Sequence, residues 1–153
     1  MEIIETDTIL CKNIVTYNIE DFLPKFDSLI DLKAVGLDII SIERVARLIE
    51  RYDFNTLSIL FTHSEICYCQ NSEYPNKYYS ICFAVKEAVG KALGTGLVSI
   101  DWNEIETKTI HNKQLVIDLY GKANIQAEKY GIKNWIVNWL YLDKHILVHV
   151  LAQ

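Results

Sequence analysis

From Lys77 to Leu93 the chain reads KYYSICFAVKEAVGKAL, and Gly94 follows. Cys82, Val85, Val89 and Ala92 recur at helical spacing as one inward stripe, which Phe83 and Ala88 widen. The spacing predicts a long helix closed by Gly94, a residue suited to the left-handed turn that ends helices. So apolar a helix has to be covered by other elements. The 153 residues, half of them apolar, are enough to bury a core as a single domain.

The rest of the chain supplies the cover. AVGLDII reads as a short apolar strand interrupted by one acid, Asp38. SIERVARLIERY reads as a helix with Ser41 as its N-cap and Ile42, Val45, Ala46, Ile49 and Tyr52 on one face. Thr62 and Glu65 fit a capping box for a further short helix. QLVIDLY reads as a strand and GKANIQAEKYG as a helix ended by Gly131. NWIVNWLYL and HILVHVLA read as two strands joined by a tight turn at Asp143-Lys144. Before these, residues 2–18 suggest one or two β segments, and IEDFLPKFDSLIDLK a short helix with Asp21 able to cap near Pro24. The order, close to β-α-α-α-β-α-β-β, predicts an α+β domain with helices packed on a largely antiparallel sheet.

Several classes of function fit poorly. Net charge is −5, so the protein as a whole does not advertise nucleic-acid binding. No window approaches the ~20 apolar residues of a membrane span, and MEIIETDTIL lacks the basic flank of a secretion signal. A cytoplasmic protein is expected. Cys11, Cys67, Cys69 and Cys82 lack zinc-ligand spacing and read as reduced, mostly core or incidental thiols. His145 and His149 fall four apart in a strand-like segment and read as structural rather than metal-binding.

Two segments carry chemistry. Asp38 stands at the end of a strand and before a helix, where a carboxylate caps something, pairs with a base, or holds a cation. Glu87 and Lys91 share a helix face four residues apart, which by itself describes an ordinary surface pair. Around them, however, lie Ala84, Ala88, Gly90, Ala92 and Gly94, small residues that let another backbone or a bulky ligand approach. A Mg²⁺ ion would suit Asp38 and Glu87, since it commonly takes one or two protein carboxylates beside water and substrate phosphates. Lys86 and Lys91 could neutralise the phosphate oxygens, and the Gly94-Thr95-Gly96 turn could offer backbone N–H groups.

GLDIISIERV (36–45) followed by FAVKEAVGKALGTG (83–96), with Asp38 and Glu87 49 residues apart, resembles the holo-acyl-carrier-protein synthase group of 4′-phosphopantetheinyl transferases. The resemblance runs from 35 to 152, so residues 1–34 read as an N-terminal addition to a 35–153 domain. It implies a Mg²⁺-dependent transfer of the phosphopantetheine arm of coenzyme A to a serine of an acyl carrier protein, releasing 3′,5′-ADP. It further implies that Asp38 and Glu87 hold the metal, that Lys91 binds phosphate and that Lys86 assists. A homotrimer with coenzyme A in clefts between subunits is implied too. Arg44 stands where the family grips an acidic carrier protein, and Arg47 and Arg51 follow at helical spacing. The chain departs from the pattern at Cys82, around Ser58 to Leu60, and at Asn138, Leu140 and Tyr141, where the family carries arginines or a Ser-x-Ser-His strand. These departures leave a second reading open, a non-catalytic paralogue acting as a carrier-protein-binding or structural subunit.

Overall fold

A computed structural model of the chain describes residues 30–110 and 114–153. The strands expected in 2–18 and the helix near Asp21 lie outside them. Five strands and five helices are described, in the order β1 (Ala34–Ser41), α1 (Ile42–Arg51), α2 (Phe54–Leu60), α3 (His63–Gln70), α4 (Pro75–Ala92), β2 (Ile105–Thr109), β3 (Leu115–Leu119), α5 (Gly121–Lys129), β4 (Trp135–Leu142) and β5 (His145–Ala152). A single 3₁₀ turn, Trp102–Glu104, precedes β2.

The sheet that positions the site has the order β1-β5-β4 and is antiparallel throughout. β4 and β5 form the expected hairpin, with Asp143 and Lys144 both at positive φ in its turn, the geometry that matches the strands' own twist. β2 and β3 make a separate two-stranded ladder. The fold is therefore α+β, as the pattern of elements predicts.

α4 lies across the first sheet, and it is buried on more sides than a single stripe would require. Ile81, Cys82, Ala84, Val85, Ala88, Val89 and Gly90 are all covered. At Ala88 and Gly90 the small residues are explained by close packing within the chain. A side chain on Gly36 of β1 would meet the Ala88 carbonyl oxygen at 1.8 Å, and one on Gly90 would meet Gly96 and Leu97 near 3 Å. Strand and helix thus touch backbone to backbone, and glycine is the residue that permits it.

Three local expectations hold in detail. The Ser41 side chain accepts from Arg44 N–H, Thr62 and Glu65 form a reciprocal capping box, and Gly94 is left-handed just past α4. Three features differ. α2 adds a helix that the sequence pattern does not announce, because its signal is one cap, Asp53 accepting from Thr56 N–H, on a seven-residue segment. β2 adds a strand whose sequence, IETKT, hides its burial: Glu106 and Thr107 are buried beside Ile105. Tyr52 does not join the apolar face of α1; the helix ends at Arg51, Tyr52 is extended and exposed, and Leu48 packs inward instead.

Candidate functional site

Alternation in β1 decides which way Asp38 points. Gly36 and Ile40 are buried against the helix layer, while Val35, Leu37 and Ile39 are more than half exposed on the other face. Asp38 shares its face with the first set and so meets α4. Its Oδ1 accepts from Lys91 Nζ at 2.8 Å, and the same ammonium donates to the Leu37 carbonyl at 2.9 Å. The second oxygen, Oδ2, is buried with no hydrogen-bond partner. A buried, unsatisfied carboxylate oxygen is costly, and sites that carry one commonly serve an ion or a reaction.

One turn before Lys91 on the same face stands Glu87, half-buried. Burial pushes its carboxyl above the usual range and the Asp38 charge adds to this; the Lys91 and Arg44 charges work the other way. Asp38, Glu87, Lys91 and Arg44 therefore form one electrostatic group drawn from β1, α1 and α4. Its donors toward a metal are oxygen only, the preference of a hard cation, and the orphaned Oδ2 is the kind of atom such an ion satisfies. Mg²⁺ fits these residues.

Lys86 does not join the group. Consecutive helical residues point about 100° apart, and this turns Lys86 into the interior. Its side chain is fully buried, 2.8 Å from Glu65 Oε2, and donates to the carbonyls of Trp102 (3.1 Å) and Ile105. Its ammonium is engaged by protein, so the expected contact with phosphate is not what the structure provides. Glu65, legible in the sequence as a cap, is the partner that sequence reasoning missed.

The glycine turn also differs from expectation. Gly94 N–H donates to the Lys91 carbonyl and Gly96 N–H to the Gly90 carbonyl, each at 3.0 Å, and Thr95 Oγ1 donates to the Gly96 carbonyl. The two glycine N–H groups close the helix end. What Gly94 adds is space: with Lys33, Ala34, Ala92, Leu93 and Tyr130 it borders a cleft of about 230 Å³. Nothing in the local pattern signals that Lys33 and Tyr130 would meet there.

Arg44, Arg47 and Arg51 are all exposed on α1, and Arg47 pairs with Glu43 one turn back. At the positions of departure, Cys82 is buried, and its thiol is pushed up by a hydrogen bond with Cys69 and by burial. Cys69 is buried and Cys67 exposed, and all three are free thiols. Asn138 lies 3.4 Å from the nearly buried His149, while His145 is exposed and bonds the turn at Asp143.

Residues 34–145 match the family model of the 4′-phosphopantetheinyl transferase superfamily. A holo-[acyl-carrier-protein] synthase of Natranaerobius thermophilus is 36% identical over 98 residues, covering 64% of this chain and 78% of that protein. The fold superposes on the holo-[acyl-carrier-protein] synthase of Neisseria meningitidis with a TM-score of 0.70 at 25% identity, covering 80% of this chain and 98% of that one. It also superposes on the Helicobacter pylori synthase solved in complex with coenzyme A, with a TM-score of 0.67 at 22% identity, covering 78% and 99%.

Proposed function

This chain belongs to the 4′-phosphopantetheinyl transferase superfamily, and from that premise we propose that the Asp38–Glu87–Lys91 group performs the family's reaction as a holo-acyl-carrier-protein synthase. The substrates are coenzyme A and the serine hydroxyl of an apo acyl carrier protein. The serine hydroxyl gives up its proton, ultimately to solvent, as its oxygen bonds to the phosphorus that bears the pantetheine arm; the diphosphate bond breaks, and 3′,5′-ADP leaves. The observation that carries this reading is the buried, partnerless Asp38 Oδ2 facing the helix of Glu87 and Lys91.

Asp38 and Glu87 would hold Mg²⁺, which supplies Lewis-acid stabilisation of charge on the diphosphate. Lys91, half-exposed at its tip, swings from Asp38 to a phosphate oxygen with little cost in burial. The cleft at Gly94, with Thr95 and Gly96 closing its helix end, takes the adjoining part of coenzyme A. Arg44, Arg47 and Arg51 present a cationic face beside the site to an acidic carrier protein. The exposed stripe of Val35, Leu37 and Ile39 on β1 supports a homotrimer, since an uncovered apolar strand face is a place for another copy to pack. No helix among the described residues is long and apolar enough to cross a membrane, and a cytoplasmic site of action fits this reading.

The test is the intact mass of apo carrier proteins incubated with this protein, coenzyme A and Mg²⁺. A gain of one phosphopantetheine arm, lost without metal or with Glu87→Gln, is the expected result. No gain on any carrier, from a folded oligomer, would overturn it and favour a carrier-binding subunit without catalysis, the reading that Cys82 and Asn138 leave open.

A further inference from the structure

Lys86 and Glu65 form, among the described residues, the one ion pair with both side chains fully buried. Replacing such a pair by apolar groups of similar size is often neutral or stabilising, so stability alone does not account for it. Its geometry suggests another role. The Lys86 ammonium has three N–H donors and three acceptors: Glu65 Oε2 and the carbonyls of Trp102 and Ile105. It also lies 5.9 Å from the centre of the Phe61 ring. Glu65 in turn accepts from Thr62 N–H and Thr107 N–H, each at 2.9 Å. Two side chains thus tie the middle of α4 to the start of α3, the 3₁₀ turn and β2.

The tie sits one residue before Glu87. The neighbouring buried side chains of α4 itself, Ala84, Val85, Ala88 and Val89, make only non-directional contacts. The close approach of Gly36 to Ala88 sets how near α4 comes to β1, and the exposed Lys91 ties one face of the helix to Asp38; neither holds the side facing α3 and β2. Hydrogen bonds to a charged group are short and angle-dependent, and they restrict rotation on that side. Fixing the rotation of α4 at Lys86 fixes the direction in which Glu87 leaves the helix, about 100° around.

We propose that the Lys86–Glu65 pair is a positioning device that holds Glu87 against Asp38 for metal binding. This rests on the reading of Asp38 and Glu87 as the metal carboxylates. Lys86 then touches neither coenzyme A nor metal and acts only through the carboxylate beside it. Outer partners of metal-binding groups commonly alter metal affinity ten- to a hundredfold.

The full chain is titrated with Mn²⁺ in the presence of coenzyme A, free Mn²⁺ being read by electron paramagnetic resonance, and thermal unfolding is recorded alongside. Lys86→Met should weaken Mn²⁺ binding about tenfold or more. The double variant Lys86→Met/Glu65→Gln removes both charges with little change in side-chain volume. Where thermal unfolding shows that it is folded, it should bind Mn²⁺ about tenfold more weakly. Ala127→Gly, in α5, lowers the melting temperature and should leave Mn²⁺ binding unchanged. Glu65→Gln alone provides a milder variant and should weaken Mn²⁺ binding in the same direction. Wild-type Mn²⁺ affinity in any folded variant of the pair overturns the proposal while leaving the metal site intact. If the wild-type protein itself takes up no Mn²⁺, the assignment of Asp38 and Glu87 fails, and the positioning role fails with it.

Discussion

Lys91 Nζ lies 2.8 Å from Asp38 Oδ1, joining α4 to β1 across 53 residues of chain. The pair is only half covered, Lys91 being 50% and Asp38 13% exposed, so it contributes up to about 1 kcal/mol to stability. Its larger consequence is for activity. Asp38→Asn should lower kcat by at least about a hundredfold with a small change in melting temperature. Lys91→Met should raise KM for coenzyme A by roughly one to two decades, the worth of a charged hydrogen bond. Steady-state kinetics beside thermal unfolding separate the two effects.

Gly36 sets the distance between β1 and α4. A methyl group there would stand 1.8 Å from the Ala88 carbonyl oxygen, which neither backbone can avoid without moving. Gly36→Ala should destabilise the protein by about 3 kcal/mol or more, a fall of roughly 6–12 °C in melting temperature. It should also lower activity, because Asp38 rides on the displaced strand. A wild-type melting curve would show that the contact relaxes cheaply.

The outer face of β1 reports on assembly. Leu37 and Ile39 are 53% and 57% exposed on a strand whose other face is packed. Leu37→Lys together with Ile39→Lys should leave the fold intact and abolish self-association, as measured by sedimentation velocity. If the clefts for coenzyme A are shared between copies, activity disappears with the oligomer.

Arg44→Glu should raise KM for the carrier protein about tenfold. The effect should shrink in high salt, since Arg44 is exposed and screened. An unchanged KM for the carrier would place docking elsewhere.

Acid stability should depend on Glu106. Burial favours its protonated form, but hydrogen bonds from Tyr120, Ser64, Thr62 and Lys108 outweigh this and hold the carboxyl below its ordinary value near 4.5. The unfolded chain therefore binds this proton more readily than the folded one. The contribution is present above about pH 4.5 and is lost as pH falls through the lower folded value. Melting temperatures between about pH 6 and pH 3 should fall less steeply for Glu106→Gln than for the wild type, from a lower starting point.

Much of this protein is local and therefore legible in its residues. The helical period of residues 77–93, the caps at Ser41 and Thr62, the Asp143-Lys144 turn and the hairpin strands each depend on neighbours a few positions away. The spacing of Asp38 and Glu87, set in two short motifs, also identified the family. What tertiary structure decided is how each charge is satisfied. Lys86 and Lys91 look alike in sequence, yet a rotation of about 140° on one helix sends Lys86 to a buried Glu65 and Lys91 to Asp38 at the surface. Glu106 looks like a solvent residue and is buried, because partners from α3, β2 and the end of β3 converge on it. The small residues of α4 could admit a backbone or a ligand, and only the packing shows that Gly36 and Leu97 fill that space at Ala88 and Gly90 while Ala92 borders a cleft. Periodicity tells which face of an element is covered; the free energy of a buried polar group depends on which distant atom meets it, and the chain specifies that only once it has folded.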